Sequence, residues 1–339
     1  MLISPAWADC DGSLVVTCDT RNPNPYHQPV GAGPFSINGT TVTLDPGAEI
    51  DVNNKTAVSL GGDAVITLRP NSSITNDATN NDGLWDAGPN AVEFGSNGTL
   101  TVAAGASIEA TGSQNNGESV NVMGSGNLVT NYGTLSSRTG AAIWFEDRVV
   151  GSTNTIDNFG LIRTQLGANA NVIGNQRNGS VTFINRTGAR VEGSLSFAGG
   201  NDALTLEANS VITGSFNGGG GTNTLTLAGA AGSEDSLAGS IRNFQSLFKI
   251  GEGQWTLTGS VGNNGGNAQL QVFVQQGTLT LTGDNSNFNG SVTVDPAGIL
   301  EARAQSLPPT VTDNGLVRFI QGTPGTYSGL ISGTGSVEK

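Results

Sequence analysis

The chain has 339 residues, of which 51 are glycine and only 12% are charged, and its formal net charge is -13. Nucleic-acid binding needs clustered Lys and Arg, and the 14 basic residues are dispersed, so no nucleic-acid partner is predicted. No apolar run approaches the length of about 20 residues that spans a bilayer. Helical i, i+3, i+4 spacing is also absent, which argues against ordinary helical or mixed domains.

The first residues are typical of the end of a secretory signal peptide. Ala6 and Ala8 supply the small-x-small pattern of a cleavage site, so the mature chain is expected to start at Asp9. We interpret residues 1–8 as a signal-peptide remnant; the alternative is an arbitrary disordered terminus.

Cys10 and Cys18 are the only cysteines and lie eight positions apart. This spacing predicts a small disulfide-closed loop, which persists in an oxidising compartment. A redox or metal role would need CxxC spacing or nearby histidines, and the chain has a single histidine, His27. We therefore predict an N-terminal cap over residues 9–30 that is closed by this disulfide.

A repeated strand template predicts the fold. In each copy an apolar-x-apolar strand is followed, across a turn of Asp, Pro, Asn, Gly or Ala, by another apolar residue. The copies recur about every 21 to 34 residues, which is the size of one solenoid coil. The sequence thus predicts an all-β, right-handed parallel β-helix of about 12 coils. Clear copies begin at Thr41, Ile66, Leu100, Leu204 and Val292.

Alternation within the template predicts which side chains are buried, because successive strand residues face opposite sides of a sheet. Apolar positions should stack inside, and the intervening threonines should face outward, where a β-branched residue suits a strand. The predicted inward residues are Val42, Leu44, Leu68, Val102, Leu206 and Leu227, and the predicted outward residues are Thr43, Thr67, Thr101, Thr205 and Thr226.

Asn131, Asn158 and Asn185 recur at equal spacing, each at the start of a predicted turn. Asparagines in register at a turn can form a ladder of side-chain amides that also satisfies backbone groups. We favour this structural ladder over a ligand-binding role.

The pattern sharpens after residue 246. Residues 248–259 read F-K-I-G-E-G-Q-W-T-L-T-G, residues 287–290 read N-F-N-G, and a second copy begins at Thr326. This resembles the autotransporter-associated β-strand repeat, K-x-G-x-G-x-[WL]-x-L-x-G followed by N-x-[YF]-x-G. The resemblance covers residues 246–339; residues 31–245 share only looser β-helix character.

The resemblance implies a passenger of type V secretion, exported through the periplasm and outer membrane to the surface of a Gram-negative cell. It implies adhesion, autoaggregation or biofilm formation more often than catalysis. We expect residues 31–245 to form the β-helix passenger and residues 246–339 its continuation, truncated at the C-terminus. Membrane attachment is expected only through a C-terminal β-barrel that is absent from this chain.

The sequence gives little support for a catalytic function. A Ser-His-Asp triad needs a histidine base, and only His27 is available. Two carboxylates could cleave glycans, but the acidic residues near strand ends form no distinctive cluster and are interpreted as a solvated rim. Residues 199–204 resemble a calcium-binding repeat that is not continued in tandem. No catalytic, cofactor or metal site is predicted. The acidic residues considered are Asp63, Asp202, Glu207 and Asp295.

Two longer stretches interrupt the template. Residues 75–92 exceed a normal turn and provide a candidate recognition loop, although folding of its tryptophan back onto the core is an equal alternative. Residues 142–148 are interpreted as a buried strand with Trp144 or Phe145 in the core. The expected partners are the same protein on neighbouring cells or a host glycan or matrix protein; the alternative function is a glycan-cleaving passenger. The loop candidates are Asp82, Leu84, Trp85 and Asp86.

Overall fold

A computed structural model of the chain describes residues 10, 14–21, 23–31, 33, 36–79, 90–113, 117–146, 151–175, 178–261, 269–285 and 287–339. The chain divides into two compact units. Unit 1 comprises residues 1–180, 189–195 and 212–214, and unit 2 comprises residues 181–188, 196–211 and 215–339. Each unit is a parallel β-solenoid, and together they account for about 12 turns. The predicted all-β solenoid is therefore confirmed.

The strands are short and numerous. The first eighteen are β1 (Val15–Cys18), β2 (Thr41–Leu44), β3 (Glu49–Val52), β4 (Val58–Leu60), β5 (Val65–Leu68), β6 (Ser73–Asn76), β7 (Val92–Phe94), β8 (Thr99–Val102), β9 (Ser107–Ala110), β10 (Val120–Val122), β11 (Asn127–Asn131), β12 (Thr134–Ser137), β13 (Ile143–Phe145), β14 (Thr153–Asn158), β15 (Leu161–Thr164), β16 (Ile173–Asn175), β17 (Ser180–Asn185) and β18 (Arg190–Glu192). They are followed by β19 (Leu195–Ser196), β20 (Ala203–Glu207), β21 (Val211–Ile212), β22 (Phe216–Asn217), β23 (Thr224–Ala228), β24 (Glu234–Leu237), β25 (Ile241–Arg242), β26 (Ser246–Ile250), β27 (Gln254–Leu257), β28 (Gln271–Leu281), β29 (Ser291–Ala302), β30 (Thr310–Asp313), β31 (Leu316–Phe319), β32 (Leu330–Ser332) and β33 (Ser336–Glu338). Within the described residues the only helix is a 3-10 turn at Ala304–Ser306.

Unit 1 is a three-sided solenoid. Sheet 1 contains β1, β2, β5, β8, β11 and β14, each parallel to the next. Sheet 2 contains β3, β6, β9, β12, β15 and β18. Sheet 3 contains β4, β7, β10, β13 and β16. From β2 to β16 each turn adds one strand to every sheet, and no single turn could bury its apolar side chains alone.

In unit 2 the strands form two rows in which each strand is parallel to the next. The first row contains β20, β23, β26, β28, β29, β30 and β32. The second row contains β24, β27, β28, β29, β31 and β33. The long strands β28 and β29 take part in both rows, with a register irregularity between Val274 and Gln276. A small third sheet pairs β22 with β25.

The predicted alternation is confirmed in both units. All six predicted inward residues are at most 1% exposed, and all five predicted outward threonines are half-buried. Residues 142–148 contain a regular strand, β13, with Phe145 in the core and Trp144 on its other side, half-buried. Trp255 is buried in unit 2, as the repeat implies.

The repeat at residues 248–259 builds a turn in unit 2. Lys249 is fully buried, and its Nζ donates hydrogen bonds to the carbonyls of Ile250 (3.1 Å), Gly251 (2.7 Å) and Gln276 (2.9 Å). Gly251 has a φ of 72°, and a Cβ there would collide with a neighbouring carbonyl. Trp255 Nε1 donates to the carbonyl of Ala228 at 3.0 Å. The spacing of these residues thus has a local structural reason: each of these positions serves the turn.

Candidate functional site

The N-terminal cysteines are joined. Cys10 and Cys18 form a disulfide with a Cα–Cα distance of 4.5 Å, as predicted. Cys18 ends β1 and faces inward in register with Leu44. The bond therefore ties the preceding chain to the first strand of sheet 1.

The side chains of the first two asparagines in the predicted ladder are hydrogen-bonded to each other. Asn131 Nδ2 donates to Asn158 Oδ1 at 2.9 Å and to the carbonyl of Leu161 at 3.1 Å. The Oδ1 atoms of the two asparagines accept from the backbone N–H of Gly133 (3.1 Å) and Gly160 (3.2 Å). Both side chains are fully buried, and their amides satisfy buried or partly buried backbone groups at the turns.

Asn185, the third predicted position, lies on β17 in unit 2. It is fully buried, and its Nδ2 donates to the carbonyl of Val211 at 3.3 Å. Each of the three asparagines therefore serves backbone groups, while their union in a single ladder stays a prediction.

The candidate recognition loop was placed at residues 75–92. Its named members Asp82, Leu84, Trp85 and Asp86 lie outside the described residues, so the proposal for this loop stays a prediction.

The outer side of β1, β2, β5, β8 and β11 in sheet 1 forms a surface that we call the threonine face, and Asp157 on β14 lies beside it in register with Thr130. In its first row Val15, Thr41, Val65, Thr99 and Leu128 are in register; in its second row Thr17, Thr43, Thr67, Thr101 and Thr130 are in register. The apolar members are open to solvent: Val15 is 69%, Val65 42% and Leu128 39% exposed. Ten outward residues on five adjacent strands thus carry hydroxyl and methyl groups and no charge.

The outer side of sheet 3 is different, because its polar side chains are buried. Ser59, Glu93, Asn121 and Trp144 occupy the same position on four adjacent strands. Ser59 Oγ donates to Glu93 Oε1, and Asn90 Nδ2 donates to Glu93 Oε2 at 3.5 Å. Asn121 Oδ1 and Trp144 Nε1 are buried without a hydrogen-bond partner in the described part of the chain.

Two more carboxyl groups flank this row. Glu118 is 4% and Glu146 is 3% exposed. Burial, and next the charge of Glu146, raise the pKa of Glu118 to about 9. Glu118 is therefore protonated at neutral pH. Such an acid could deliver a proton, but its low exposure keeps it from touching a glycan in this conformation.

Sequence reasoning missed these buried carboxyl groups. Glu93 lies in Val92-Glu93-Phe94, which has the alternation of a strand with a solvated outer face. The available signal was the recurrence of Ser59, Glu93, Asn121 and Trp144 in register, which only the exact turn lengths reveal.

The acidic residues considered from the sequence have separate surroundings. Asp63 Oδ1 accepts from Asn97 Nδ2 at 3.3 Å in unit 1. In unit 2, Asp202 Oδ1 accepts from the backbone N–H of Val181 at 2.7 Å, and Glu207 forms an ion pair of 2.8 Å with Arg186. Asp295 is half-buried on β29.

His27 has a backbone partner. Its Nδ1 lies 2.8 Å from the carbonyl oxygen of Asp51; since a carbonyl only accepts, Nδ1 carries the proton. Across the described ranges, no group of three or more His, Cys, Asp or Glu side chains is arranged to hold a metal ion. In the same ranges, no helix has the length and apolar character required to span a bilayer.

Comparisons of the chain with protein-family models, with curated proteins and with solved structures find no match. The autotransporter resemblance therefore depends on the residues that carry it, chiefly Lys249, Gly251, Gly253 and Trp255.

Proposed function

We propose that this chain is the passenger of an autotransporter, displayed on the surface of a Gram-negative cell, where it acts as an adhesin in autoaggregation and biofilm formation or in attachment to host surfaces. The observation that carries the proposal is the threonine face on a parallel solenoid. A rigid backbone there presents hydroxyl and methyl groups in regular rows to the solvent.

The physics of such a face suits adhesion. Each hydroxyl contributes about 1 kcal/mol or less in a hydrogen bond that replaces water, so a single contact is weak. Many copies on one cell act together, and their combined affinity exceeds that of one contact by orders of magnitude. β-Branched side chains also lose little rotamer freedom when they dock.

The passenger assignment is supported by the role of the repeat in unit 2. Lys249, Gly251 and Trp255 act together in one turn: the ammonium binds three carbonyls, the glycine adopts a positive φ, and the indole donates to the carbonyl of Ala228 at the end of β23. A motif that builds a solenoid turn is expected to recur in a passenger made of stacked turns.

The test uses beads coated with the purified chain. We expect these beads to clump with each other or to attach to cultured host cells and immobilised matrix proteins, whereas beads coated with the same chain after heat unfolding stay dispersed and unattached. Coated beads that neither clump nor attach would contradict an adhesive function.

The glycan-cleaving alternative is tested on the same preparation. Turnover of an oligosaccharide panel by the wild-type chain, lost in Glu118→Gln and retained in the exposed-site control Glu49→Gln, would replace the adhesin proposal by a hydrolase. We expect no turnover, because Glu93, Glu118 and Glu146 are each at most 4% exposed.

A further inference from the structure

The outer side of the first strand row of unit 2 carries a pair of stacked aromatic rings. Phe248 on β26 and Phe273 on β28 are in register, and their ring centroids lie 4.9 Å apart with an interplanar angle of 13°. Each ring therefore covers one face of the other and leaves its own opposite face turned along the row. The next residues in register are threonines, Thr226 beside Phe248 and Thr293 beside Phe273.

The free face of Phe248 stands above its neighbours. A threonine side chain ends next to its Cβ, whereas a phenyl ring reaches well beyond it, so Thr226 leaves the outer part of this ring face uncovered. Thr205 is in register with Thr226 on the next strand, and all three residues are half-buried. A low shelf of hydroxyl and methyl groups thus leads up to an aromatic wall.

A groove opens beside this shelf, where β20, β23 and β26 end. It has a volume of about 430 Å³, which is within the range of about 300–1,000 Å³ found for small-ligand sites. Small residues, among them Ala228 and Gly229, line it together with Ile250, which is 36% exposed. Ile250 follows Phe248 on the same side of β26, and two such positions lie about 7 Å apart. One ligand can therefore occupy the groove and contact the ring face.

Polar side chains at the groove can bind ligand hydroxyls. The lining includes Glu207, Asn209 and Ser233. The carboxylate of Glu207 accepts from Arg186 Nη1 at 2.8 Å and from the backbone N–H and hydroxyl of Thr187 at 3.0 and 3.2 Å. These three donors hold the carboxylate in place, and a carboxylate has about four acceptor sites, so it can also accept from a ligand hydroxyl.

The charges at the groove favour an uncharged ligand. Arg186 neutralises Glu207, which is the one ionisable side chain among the described residues that line the groove. Asp235 accepts from the backbone N–H of Asn209 at 2.7 Å and adds negative charge next to the groove. The chain as a whole has a formal net charge of -13, so an anionic ligand is repelled.

We infer that the groove beside Phe248 binds a neutral oligosaccharide of a host surface. A pyranose ring has an apolar C–H face, which suits the electron-rich face of a phenyl ring, and an edge of hydroxyls, which suits a carboxylate, an amide and a serine hydroxyl. The inference rests on the proposed adhesive function and deepens it, because it names the chemical class of the ligand in attachment and the part of unit 2 that binds it.

The small size of the site predicts weak binding of a single molecule. One ring contact and a few hydrogen bonds to an open groove should give a dissociation constant of roughly 0.1–1 mM. Attachment then depends on many copies that bind a glycan-covered surface together.

The first test is calorimetric titration of the purified chain with neutral oligosaccharides of glucose, galactose, mannose and N-acetylglucosamine. We expect at least one of them to bind, and its sialylated or sulfated form to bind about tenfold more weakly or less, because of charge repulsion. Stronger binding of the acidic forms would overturn the inference.

Phe248→Thr tests the aromatic wall. Threonine occupies the same position on the adjacent β23, so the change is compatible with the fold, and it should weaken binding about tenfold or more, since aromatic anchors dominate such contacts. The matched control is Phe273→Thr, which makes the same change outside the groove and should leave the affinity within about twofold. Circular dichroism verifies that each variant is folded at the temperature of the titration.

Ala228→Leu tests the groove by filling it. The substitution removes no polar group and adds volume at an outward position of β23, so binding should fall about tenfold or more. Ala203→Leu, at an outward position of β20 outside the groove, provides the control and should bind as the wild type does. Beads coated with Phe248→Thr or Ala228→Leu should also attach less to cultured host cells than wild-type beads.

The outcomes separate this inference from the proposed function. If neutral oligosaccharides bind the two groove variants and the wild type equally, the groove is not the site, whereas adhesion stands. If wild-type beads clump or attach but no neutral oligosaccharide binds, the ligand class is wrong and the adhesin proposal survives. If the beads neither clump nor attach, the adhesive function itself is contradicted.

Discussion

The ammonium group of Lys249 donates a 2.9 Å hydrogen bond to the carbonyl oxygen of Gln276, which lies 27 residues later, on the adjacent strand of unit 2. The same ammonium binds the carbonyls of Ile250 and Gly251 in its own turn. Burial lowers the pKa of Lys249 to about 8, while three carbonyl acceptors favour its charged form. One side chain thus links two successive turns of the solenoid.

Replacement of Lys249 by methionine should destabilise unit 2. The change keeps a long apolar stem but leaves three turn carbonyls without their donor, which costs about 1–3 kcal/mol. Urea unfolding followed by circular dichroism measures the loss. The exposed Arg303, also in unit 2, provides the control, since Arg303→Met removes a charge without a buried partner. Equal stability of the two variants would contradict the linking role of the lysine.

The stability of unit 1 should fall as the pH rises from about 4.5 towards 9. Glu118 has a pKa of about 9 in the folded chain and near 4.5 when unfolded, so the folded state binds the additional proton between these values. Stability from this group is therefore complete below pH 4.5 and declines as the pH rises towards 9.

Glu118→Gln should remove this decline, because the amide is neutral at every pH and has nearly the same shape. We expect the variant to equal the wild type near pH 4.5 and to exceed it by more than about 1 kcal/mol at pH 8. Urea unfolding across pH provides the measurement, with the exposed Glu49→Gln as control. Parallel pH profiles for wild type and Glu118→Gln would show that Glu118 is ionised in the folded chain.

The side chains of Asn131 and Asn158 should contribute to stability in an energetically coupled way, because they are hydrogen-bonded to each other. Asn131→Leu leaves the buried N–H of Gly133 without its side-chain acceptor, so we expect a loss of about 1–3 kcal/mol. We expect this loss even though Leu44 and Leu68 occupy the same column in earlier turns.

A double-mutant cycle with Asn158→Leu measures the coupling, which should be about 1 kcal/mol. Thr134→Leu, at an outward position on β12, should change stability by no more than about 0.5 kcal/mol. Strict additivity of the two asparagine changes would show that the amides act independently.

Loss of the disulfide should weaken unit 1. For a closed loop of this length, the restriction of the unfolded chain is worth about 2–3 kcal/mol. The double variant Cys10→Ser, Cys18→Ser should unfold at correspondingly lower urea, and a reducing agent should shift the wild type to the same midpoint without changing the variant. A wild type insensitive to reduction would contradict a stabilising bond.

Several features followed directly from the sequence. The alternation of Val42, Thr43 and Leu44 decides which side chains face the core, because in a strand this is a property of adjacent residues. The pairing of Cys10 with Cys18 followed from their isolation and short spacing. The bond between Asn131 and Asn158 could be anticipated because their surrounding segments repeat at a fixed interval.

Other features could not be predicted from local sequence. Glu93 has the alternation of a solvated outward residue, yet it is 3% exposed, and all three residues of β7 are buried. Nothing in Val92-Glu93-Phe94 reports that burial. The sequence therefore favours carboxylates near strand ends as the alternative site, whereas the carboxyl group with the strongly raised pKa is that of Glu118.

The amino-acid sequence by itself determined the strand alternation, the turns and the parallel solenoid, since each depends on residues within a few positions of each other. Only the tertiary structure decided that Glu93 lies between Ser59 and Asn121 on adjacent strands and that the carboxyl group of Glu118 is buried where the charge of Glu146 acts on it. Those relationships join residues from different turns, and they depend on the exact length of every intervening turn.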